Sequence, residues 1–242
     1  MFLKRIIKDI LALIYFRKEG ISILMYHSID DNKVFFTVKL EAFEKQMKYL
    51  KDNNYNVISL TELIKTLESD QKIPEKTVVL TFDDGFEDNY INVFPLLKKY
   101  NFPVTIFLVT GLVGQKINNA QNIPLKMLNW TQIKEMHNSG LIDFQPHTVS
   151  HRKFEKMGLK EIEEEIINSK KMIENELGKK CEIFAYPRGY YDIKIIKILK
   201  ENEFIASRAL EKGKVNQGDD PFKLRRISVN STTSFIQFKA NL

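Results

Sequence analysis

The chain of 242 residues contains a single cysteine, Cys181. A lone cysteine excludes an internal disulfide and a cysteine-based zinc site. The sequence shows no repeats or low-complexity tracts, and no linker rich in glycine, proline or serine divides it. These absences favour one domain, and α/β barrels commonly reach this length as a single domain.

A strong charge imbalance is also missing. Lys and Arg number 37 against 31 Asp and Glu, and the resulting net charge of +6 is spread along the chain. The basic residues form no patch interleaved with aromatic side chains, so we expect no nucleic-acid partner. Hydrophobic residues make up 43% of the chain and aromatic residues 11%, which is enough for a substantial core and argues against disorder.

The N-terminal stretch lacks a long apolar run. Lys8 and Asp9 interrupt it, no small-residue cleavage site follows, and it is too short to span a membrane. As a helix, residues 2–16 present a basic arc and a wide apolar face, which suits a membrane interface but also fits packing against the protein's own domain. We therefore divide the chain into an amphipathic helix at residues 1–20 and a barrel domain at residues 21–242. We expect the protein to be membrane-associated, at the cytoplasmic face or the cell surface, and to have no cleavable signal peptide.

From residue 21 onward, short β-branched or aromatic runs alternate with stretches of helical periodicity. "TVVLTF" and "PVTIFLV" are typical of the first kind, and "GLKEIEEEIINSKKMIENELG" is typical of the second. This alternation predicts an α/β fold with a parallel sheet and crossover connections. The number of runs favours a single (β/α) barrel of about seven to eight strands, in which the active site forms at the C-terminal ends of the strands.

Polar residues stand at the C-terminal ends of several predicted strands. They are His27, Asp83 and Asp84, His147 and His151, and Tyr186 to Arg188. Three of the four histidines of the chain belong to this set. We therefore take these residues as candidates for a functional site.

Asp83 and Asp84 are adjacent at the end of an apolar run, and Gly85 follows at once. Like charges this close repel, and each resists burial unless a cation lies nearby. Gly85 allows the backbone to turn away sharply from such a site. A simpler alternative is that one of the two aspartates caps the helix that follows.

His147 and His151 are four residues apart. If Pro146 starts a helical turn, both imidazoles project from one face and can share an ion. Two histidines and one carboxylate form a known catalytic zinc set with an open position for water. One of the two aspartates would complete this set, and the other carboxylate would take a proton from the attacking water. The pattern thus predicts a metal-dependent hydrolase of amides or esters.

Three motifs carry a resemblance to a known family. "TFDDG", "HTVSH" and "FAYPRGYYD", in this order, resemble the first three motifs of the polysaccharide deacetylases, carbohydrate esterase family four, and the resemblance extends over about residues 21–229. It implies a distorted (β/α) barrel and metal-dependent removal of acetyl groups from a glycan, usually from N-acetylglucosamine. It also implies Asp83 as the catalytic base, and Asp84, His147 and His151 as ligands of a divalent ion, commonly zinc.

The third motif departs from the family pattern. Many members carry an arginine there that orients the catalytic aspartate, whereas this chain has Ala185. Arg188, Arg225 and Arg226 are the arginines that we consider as replacements.

The general acid departs from the pattern as well. The family's late Leu-x-His motif supplies this acid, but no histidine follows His151 here. The early "MYH" segment resembles the subgroup that processes poly-β-1,6-N-acetylglucosamine, in which an early histidine serves as the acid. The resemblance therefore implies His27 as the acid.

Other residues are weaker candidates for contacts to the substrate. Tyr186 and Tyr190 are expected to line the cleft, and backbone N–H groups near Arg188 are expected to help hold the oxyanion. Trp130 is considered both as a surface for stacking on a sugar ring and as a packing residue. His137 lies in a helical stretch, and we expect a structural role for it.

Two other functions stay open at this point. The first is a deacetylase that acts on O-acetyl groups or on a lipid-linked sugar precursor, which the basic N-terminus favours. The second is a catalytically silent barrel that only binds carbohydrate. The missing arginine and the missing late histidine favour it, whereas the complete Asp-Asp-His-His set opposes it.

Overall fold

The structure is a computed structural model, and it describes residues 20–69, 73–119 and 122–242. The predicted amphipathic helix, and with it the predicted membrane contact through residues 2–16, lies outside the described residues. Within the described ranges, none of the helices combines the length and the apolar character that crossing a bilayer requires.

Within the described residues, eight strands form one parallel sheet that curls into a nearly closed barrel. Seven of them follow the order β10-β11-β12-β1-β5-β6-β9, and β4 pairs with the first half of β5. The predicted (β/α) barrel is thereby confirmed. The strands are β1 (Ser22–Tyr26), β2 (Ser28–Ile29), β3 (Thr37–Val38), β4 (Asn56–Ile58), β5 (Thr77–Asp84), β6 (Val104–Leu108), β7 (Lys116–Asn118), β8 (Pro124–Lys126), β9 (Ile142–Pro146), β10 (Ile183–Ala185), β11 (Ala206–Lys212) and β12 (Leu224–Ser228).

Helices connect the strands and cover the outside of the barrel. Several begin at the capping residues that their sequences provide, such as the reciprocal Asn129–Gln132 capping box and the Asp192 side chain. The longest helix of the described residues ends at Gly178, which has a left-handed conformation typical of a glycine at a helix C-terminus. The α-helices are α1 (Leu40–Asp52), α2 (Leu60–Glu68), α3 (Phe94–Tyr100), α4 (Trp130–Asn138), α5 (Leu159–Leu177), α6 (Ile193–Glu201) and α7 (Phe235–Ala240), and a π-helical turn, Asn89–Val93, directly precedes α3.

Strand β5 lies in the middle of the sheet and carries the two adjacent aspartates at its end. All of its residues except Asp84 are buried, which agrees with a parallel sheet that is covered on both faces. Thr81 and Asp83 are two residues apart on the strand, so their side chains point to the same face of the sheet. The same face carries Val79, which belongs to an apolar cluster built from strands all round the barrel. The barrel interior is thus apolar at one level and polar at the level of Asp83.

The barrel closes between β9 and β10 without a backbone ladder between them among the described strands. The side-chain carbonyl of Gln145 on β9 accepts hydrogen bonds from the backbone N–H groups of Glu182 and Ile183, each at 3.1 Å. Gln145 is itself buried. One side chain therefore satisfies backbone donors that an additional strand pair would otherwise satisfy. This closure brings the ends of β9 and β10, which flank the candidate site, close together.

Candidate active site

Asp84, His147 and His151 converge at the C-terminal ends of β5 and β9. Oδ1 of Asp84 lies 3.7 Å from Nε2 of His147 and 3.6 Å from Nε2 of His151. One ligand atom from each residue lies within 4.8 Å of the other two. Two imidazole nitrogens and one carboxylate oxygen are donors that zinc and related divalent ions accept. The donor set therefore fits a metal site.

The ring of His147 is oriented by a hydrogen bond on its other side. Its Nδ1 lies 2.7 Å from the carbonyl oxygen of Ala185, to which it can only donate. In this tautomer the lone pair is on Nε2, the atom that lies near Asp84. Burial, assisted by His151, holds the pKa of His147 well below its usual value. The imidazole is therefore neutral, as a metal ligand must be.

The segment between the two histidines is a loop, so the expectation of a helical turn starting at Pro146 is wrong. Thr148 and His151 have left-handed backbone angles, with φ of 68° and 55°. Such angles cost about 1–3 kcal/mol each in residues other than glycine. Contacts to the segment after β6 support the loop: the N–H groups of Thr110 and Gly111 donate to the carbonyls of Thr148 and Val149. The two imidazoles thus meet because of a specific loop shape.

The chain also turns sharply after β5. Asp84 has a φ of 74° and Gly85 a φ of 83°. A Cβ atom on Gly85 would lie 2.6 Å from Cδ2 of Leu108, so any other residue would displace the Leu108 side chain in addition to straining the backbone. The next helical turn starts at Asn89 with Asp88 at its N-cap position. Neither Asp83 nor Asp84 therefore caps a helix.

Asp83 is fully buried and is held by two arginines. Nη2 of Arg208 donates to its Oδ2 at 2.8 Å. Arg226 donates from Nη1 to Oδ1 at 2.9 Å and from Nη2 to Oδ2, and Nη1 also bonds to Thr81. A bidentate pair of this kind fixes the carboxylate in one orientation. Asp83 is thus held rigidly beside the metal-binding cluster.

These arginines determine the protonation state of Asp83. Burial by itself would raise the pKa of the carboxyl, but Arg226 and Arg208 outweigh it and hold the pKa well below the usual range. Burial and the neighbouring Arg226 lower the pKa of Arg208 to about 10, so the guanidinium group of Arg208 stays charged at neutral pH. Asp83 is therefore ionised at neutral pH and able to accept a proton.

Of the arginines considered from the sequence, only Arg226 contacts Asp83. Arg188 is exposed in the turn after β10, and Arg225 pairs with Asp219. Arg208 was missed by the sequence analysis. The sequence feature that could have identified Arg208 is its position inside the apolar strand run "FIASRA", because a charge buried in a strand requires a partner of opposite charge.

His27 lies at the end of β1, the strand that pairs with β5. Burial lowers the pKa of His27, whereas the carboxylates of Asp84 and Asp83 act in the opposite direction. The imidazole therefore lies within electrostatic reach of both aspartates. Its Nδ1 is buried and has no hydrogen-bond partner among the described residues, and its ring packs on Phe36 with centroids 5.4 Å apart. A buried ring nitrogen without a partner is uncommon in folded proteins, and a catalytic role is one explanation for it.

The weaker candidates lie in different environments. Tyr186 is fully buried, and its hydroxyl bonds to Ser207 and to the carbonyl of Phe222. The expectation that it lines the cleft is therefore wrong. Tyr190 is 37% exposed in the turn that contains Arg188. Trp130 starts α4 and packs against the core between sheet and helices.

Comparison with known proteins places this site in a family. A model of the polysaccharide deacetylase family matches residues 70–206, more than half of the chain. The YxkH protein of Bacillus subtilis (strain 168) is 32% identical over 218 residues, which cover 90% of this chain and 74% of that protein. The chain belongs to the polysaccharide deacetylase family.

Two further matches concern deacetylases with a named substrate or a solved structure. The poly-β-1,6-N-acetyl-D-glucosamine N-deacetylase of Staphylococcus epidermidis is 30% identical to this deacetylase over 204 residues, which cover 81% of this chain and 69% of that one. The structure of IcaB from Ammonifex degensii has a TM-score of 0.81 and 27% identity, and the match covers 93% of this chain and 98% of that chain. Together with the family match, they establish the chain as a polysaccharide deacetylase enzyme.

In this deacetylase, the register of the sheet explains how an arginine reaches Asp83 despite the alanine in the third motif. Ala185 on β10 is paired directly with Arg208 on β11. An arginine is therefore present at the same level of the barrel, one strand further round. The small side chain of Ala185 leaves space beside it, and its carbonyl oxygen holds His147.

Replacing Arg208 with methionine tests this arrangement through the pH dependence of deacetylation. The substitution removes one of the two positive charges that lower the pKa of Asp83, so this pKa rises. Because a general base works in its ionised form, the acid limb of the kcat/KM profile should move to higher pH if Asp83 is the base. Arg225→Met is the matched control, since Arg225 is the neighbour of Arg226 on β12 and pairs with Asp219 instead. An unshifted acid limb in Arg208→Met would contradict the assignment.

Proposed function

We propose that this deacetylase removes N-acetyl groups from a glycan that contains N-acetylglucosamine, with zinc as its metal. The main support is one observation: an ionised, doubly clamped Asp83 lies next to a cluster of three residues suited to a divalent ion. The similarity to a poly-β-1,6-N-acetyl-D-glucosamine N-deacetylase supports the choice of substrate.

Asp84, His147 and His151 are the residues that would hold the metal. When bound there, a divalent ion supplies a Lewis acid for the acetyl carbonyl and lowers the pKa of water. Both arginines pair with Asp83, so Asp84 is the carboxylate that remains for the ion.

Asp83 takes the proton of the attacking water in this proposal. Its Oδ2 accepts hydrogen bonds from both arginines, whereas its Oδ1 accepts one, from Nη1 of Arg226. A carboxylate oxygen can accept two such bonds. Oδ1 therefore has the free lone pair, and we assign the proton to it.

His27 gives a proton to the leaving amine nitrogen. The lowered pKa of His27 makes its protonated form a stronger acid, although a smaller fraction is protonated at pH 7. The carboxylates of Asp84 and Asp83 favour the protonated form and offset part of this effect. No histidine follows His151, so the C-terminal part of the chain offers no alternative imidazole for this role.

The first argument for a silent binding barrel is weakened by the structure. It rested on the missing arginine of the third motif, and Arg208 together with Arg226 occupies the corresponding place around Asp83. The family's enzymes need an oriented carboxylate and a metal site, and this chain has both arrangements.

Acetate release tests the proposal. Metal-stripped protein should release no acetate from β-1,6-linked N-acetylglucosamine oligomers, and added zinc should restore the release. The His27→Ala variant, loaded with zinc in the same way, should release acetate about 10²- to 10⁴-fold more slowly. Release from O-acetylated or lipid-linked sugars alone would correct the substrate, and zinc binding without release from any of them would favour the silent barrel.

A further inference from the structure

Glu165 on α5 makes an unusual set of contacts to the loop that carries the metal-binding histidines. Its Oε2 accepts hydrogen bonds from the backbone N–H groups of Val149 and Ser150, both at 2.8 Å. Its Oε1 accepts a hydrogen bond from the hydroxyl of Ser150 at 2.7 Å. One carboxylate thus binds the middle of the loop through three bonds, and bonds to an ionised carboxylate are roughly twice as strong as neutral ones.

The loop needs such support, because its shape determines where the imidazoles lie. Val149 and Ser150 stand between the two histidines, and the residues on either side of them, Thr148 and His151, have left-handed backbone angles. The contacts from Thr110 and Gly111 reach the loop carbonyls from the end of β6. Glu165, on helix α5, instead accepts hydrogen bonds from the N–H groups of the loop.

We propose that Glu165 is a positioning residue for the metal site. Its hydrogen bonds go to Val149 and Ser150 and not to the three ligands, and it acts by holding the 148–151 loop in the conformation that places His151 near Asp84. The inference rests on the metal-binding part of the proposed function. It does not depend on which acetylated glycan is the substrate.

The test compares zinc affinities, measured by competition with a chromophoric chelator. Glu165→Met keeps the length of the side chain but removes the acceptors, and it should weaken zinc binding by about 10- to 100-fold, the range for outer partners of metal ligands. Glu165→Gln should stay within about threefold of wild type, because its amide oxygen can accept from both N–H groups and its NH₂ can donate to the Ser150 hydroxyl. Glu164→Met, at the exposed neighbouring position on α5, is the control and should bind zinc as wild type does.

Each outcome has a distinct meaning. Weak zinc binding in Glu165→Met together with rescue in Glu165→Gln supports the positioning role. A folded Glu165→Met that binds zinc as wild type does, even with a lower melting temperature, shows a merely structural contact and overturns the inference. Absence of zinc binding in the wild-type protein overturns the metal site of the proposed function and this role with it. If Glu165→Met does not fold, Glu165→Asp replaces it, since the shorter side chain cannot reach both N–H groups, and the same criteria apply.

Discussion

Asparagine in place of Asp83 is expected to lower kcat for acetate release by about 10²- to 10⁴-fold, the usual contribution of a general base. The amide has nearly the same shape as the carboxylate and can still accept a hydrogen bond from Arg226, but it cannot take a proton from water. Zinc should still bind, because the three residues of the metal cluster stay in place, but more weakly, because the substitution removes a negative charge near the cation. The measurement is acetate release under saturating zinc, with zinc affinity determined in parallel.

The same substitution has a consequence for stability. It leaves Arg208 and Arg226 buried with a neutral partner, and breaking a buried ion pair in this way costs about 3–5 kcal/mol of unfolding free energy. Activities must therefore be compared at a temperature at which both proteins are folded. Asp143→Asn is the control, because it breaks the ion pair with Lys179 near the other end of β9 and should leave kcat unchanged. A folded Asp83→Asn with wild-type kcat would show that Asp83 is not the base.

Alanine in place of His147 is expected to abolish activity through loss of the metal. His147 is almost fully buried, and the hydrogen bond to the carbonyl of Ala185 fixes its ring. Without it, Asp84 and partly exposed His151 remain as two ligands, and two ligands hold zinc much more weakly than three. We expect zinc affinity to fall by more than the 10- to 100-fold that is typical when an outer partner is lost, and acetate release to fall to the level of the metal-stripped protein.

His137→Ala provides the matched control for this variant. His137 lies on α4, and its Nδ1 is 3.4 Å from the carbonyl oxygen of Ile142, at the start of β9 rather than its end. Its replacement should leave zinc affinity and kcat as in wild type. Tight zinc binding by His147→Ala, shown by chelator competition and by a zinc-dependent rise in melting temperature, would refute the proposed ligand set.

Much of the fold follows from local patterns. The strand run "TVVLTF" and the helical periodicity of α5 predict the elements because side chains repeat every two residues in a strand and every 3.6 in a helix. The glycine after α5 and the polar residues at strand ends are also local features. The barrel and the Asp-Asp-His-His set could therefore be predicted, and the structure confirms the barrel and brings Asp84, His147 and His151 together.

The errors concern side chains whose environment depends on distant segments. Tyr186 looked like a cleft residue because it follows a strand, yet its ring is buried and its hydroxyl accepts a hydrogen bond from Ser207 on the neighbouring strand. The helical turn considered after Pro146 is not formed, because contacts from the end of β6 and from Glu165 hold the backbone there as a loop. The secondary-structure propensity of a local segment does not reflect contacts with distant parts of the chain.

The sequence by itself determined which chemistry is available: two adjacent carboxylates, two histidines four residues apart and an early histidine, each at the end of an apolar run. Only the tertiary structure decided how these groups are held. Asp83 bonds to arginines that lie 125 and 143 residues further along the chain, and the pairing of Ala185 with Arg208 depends on the register of β10 and β11. Register follows from packing of the whole barrel, because a shift by one residue turns every side chain of a strand to the other face. The orientation and the charge state of the Asp83 carboxylate are therefore properties of the assembled barrel.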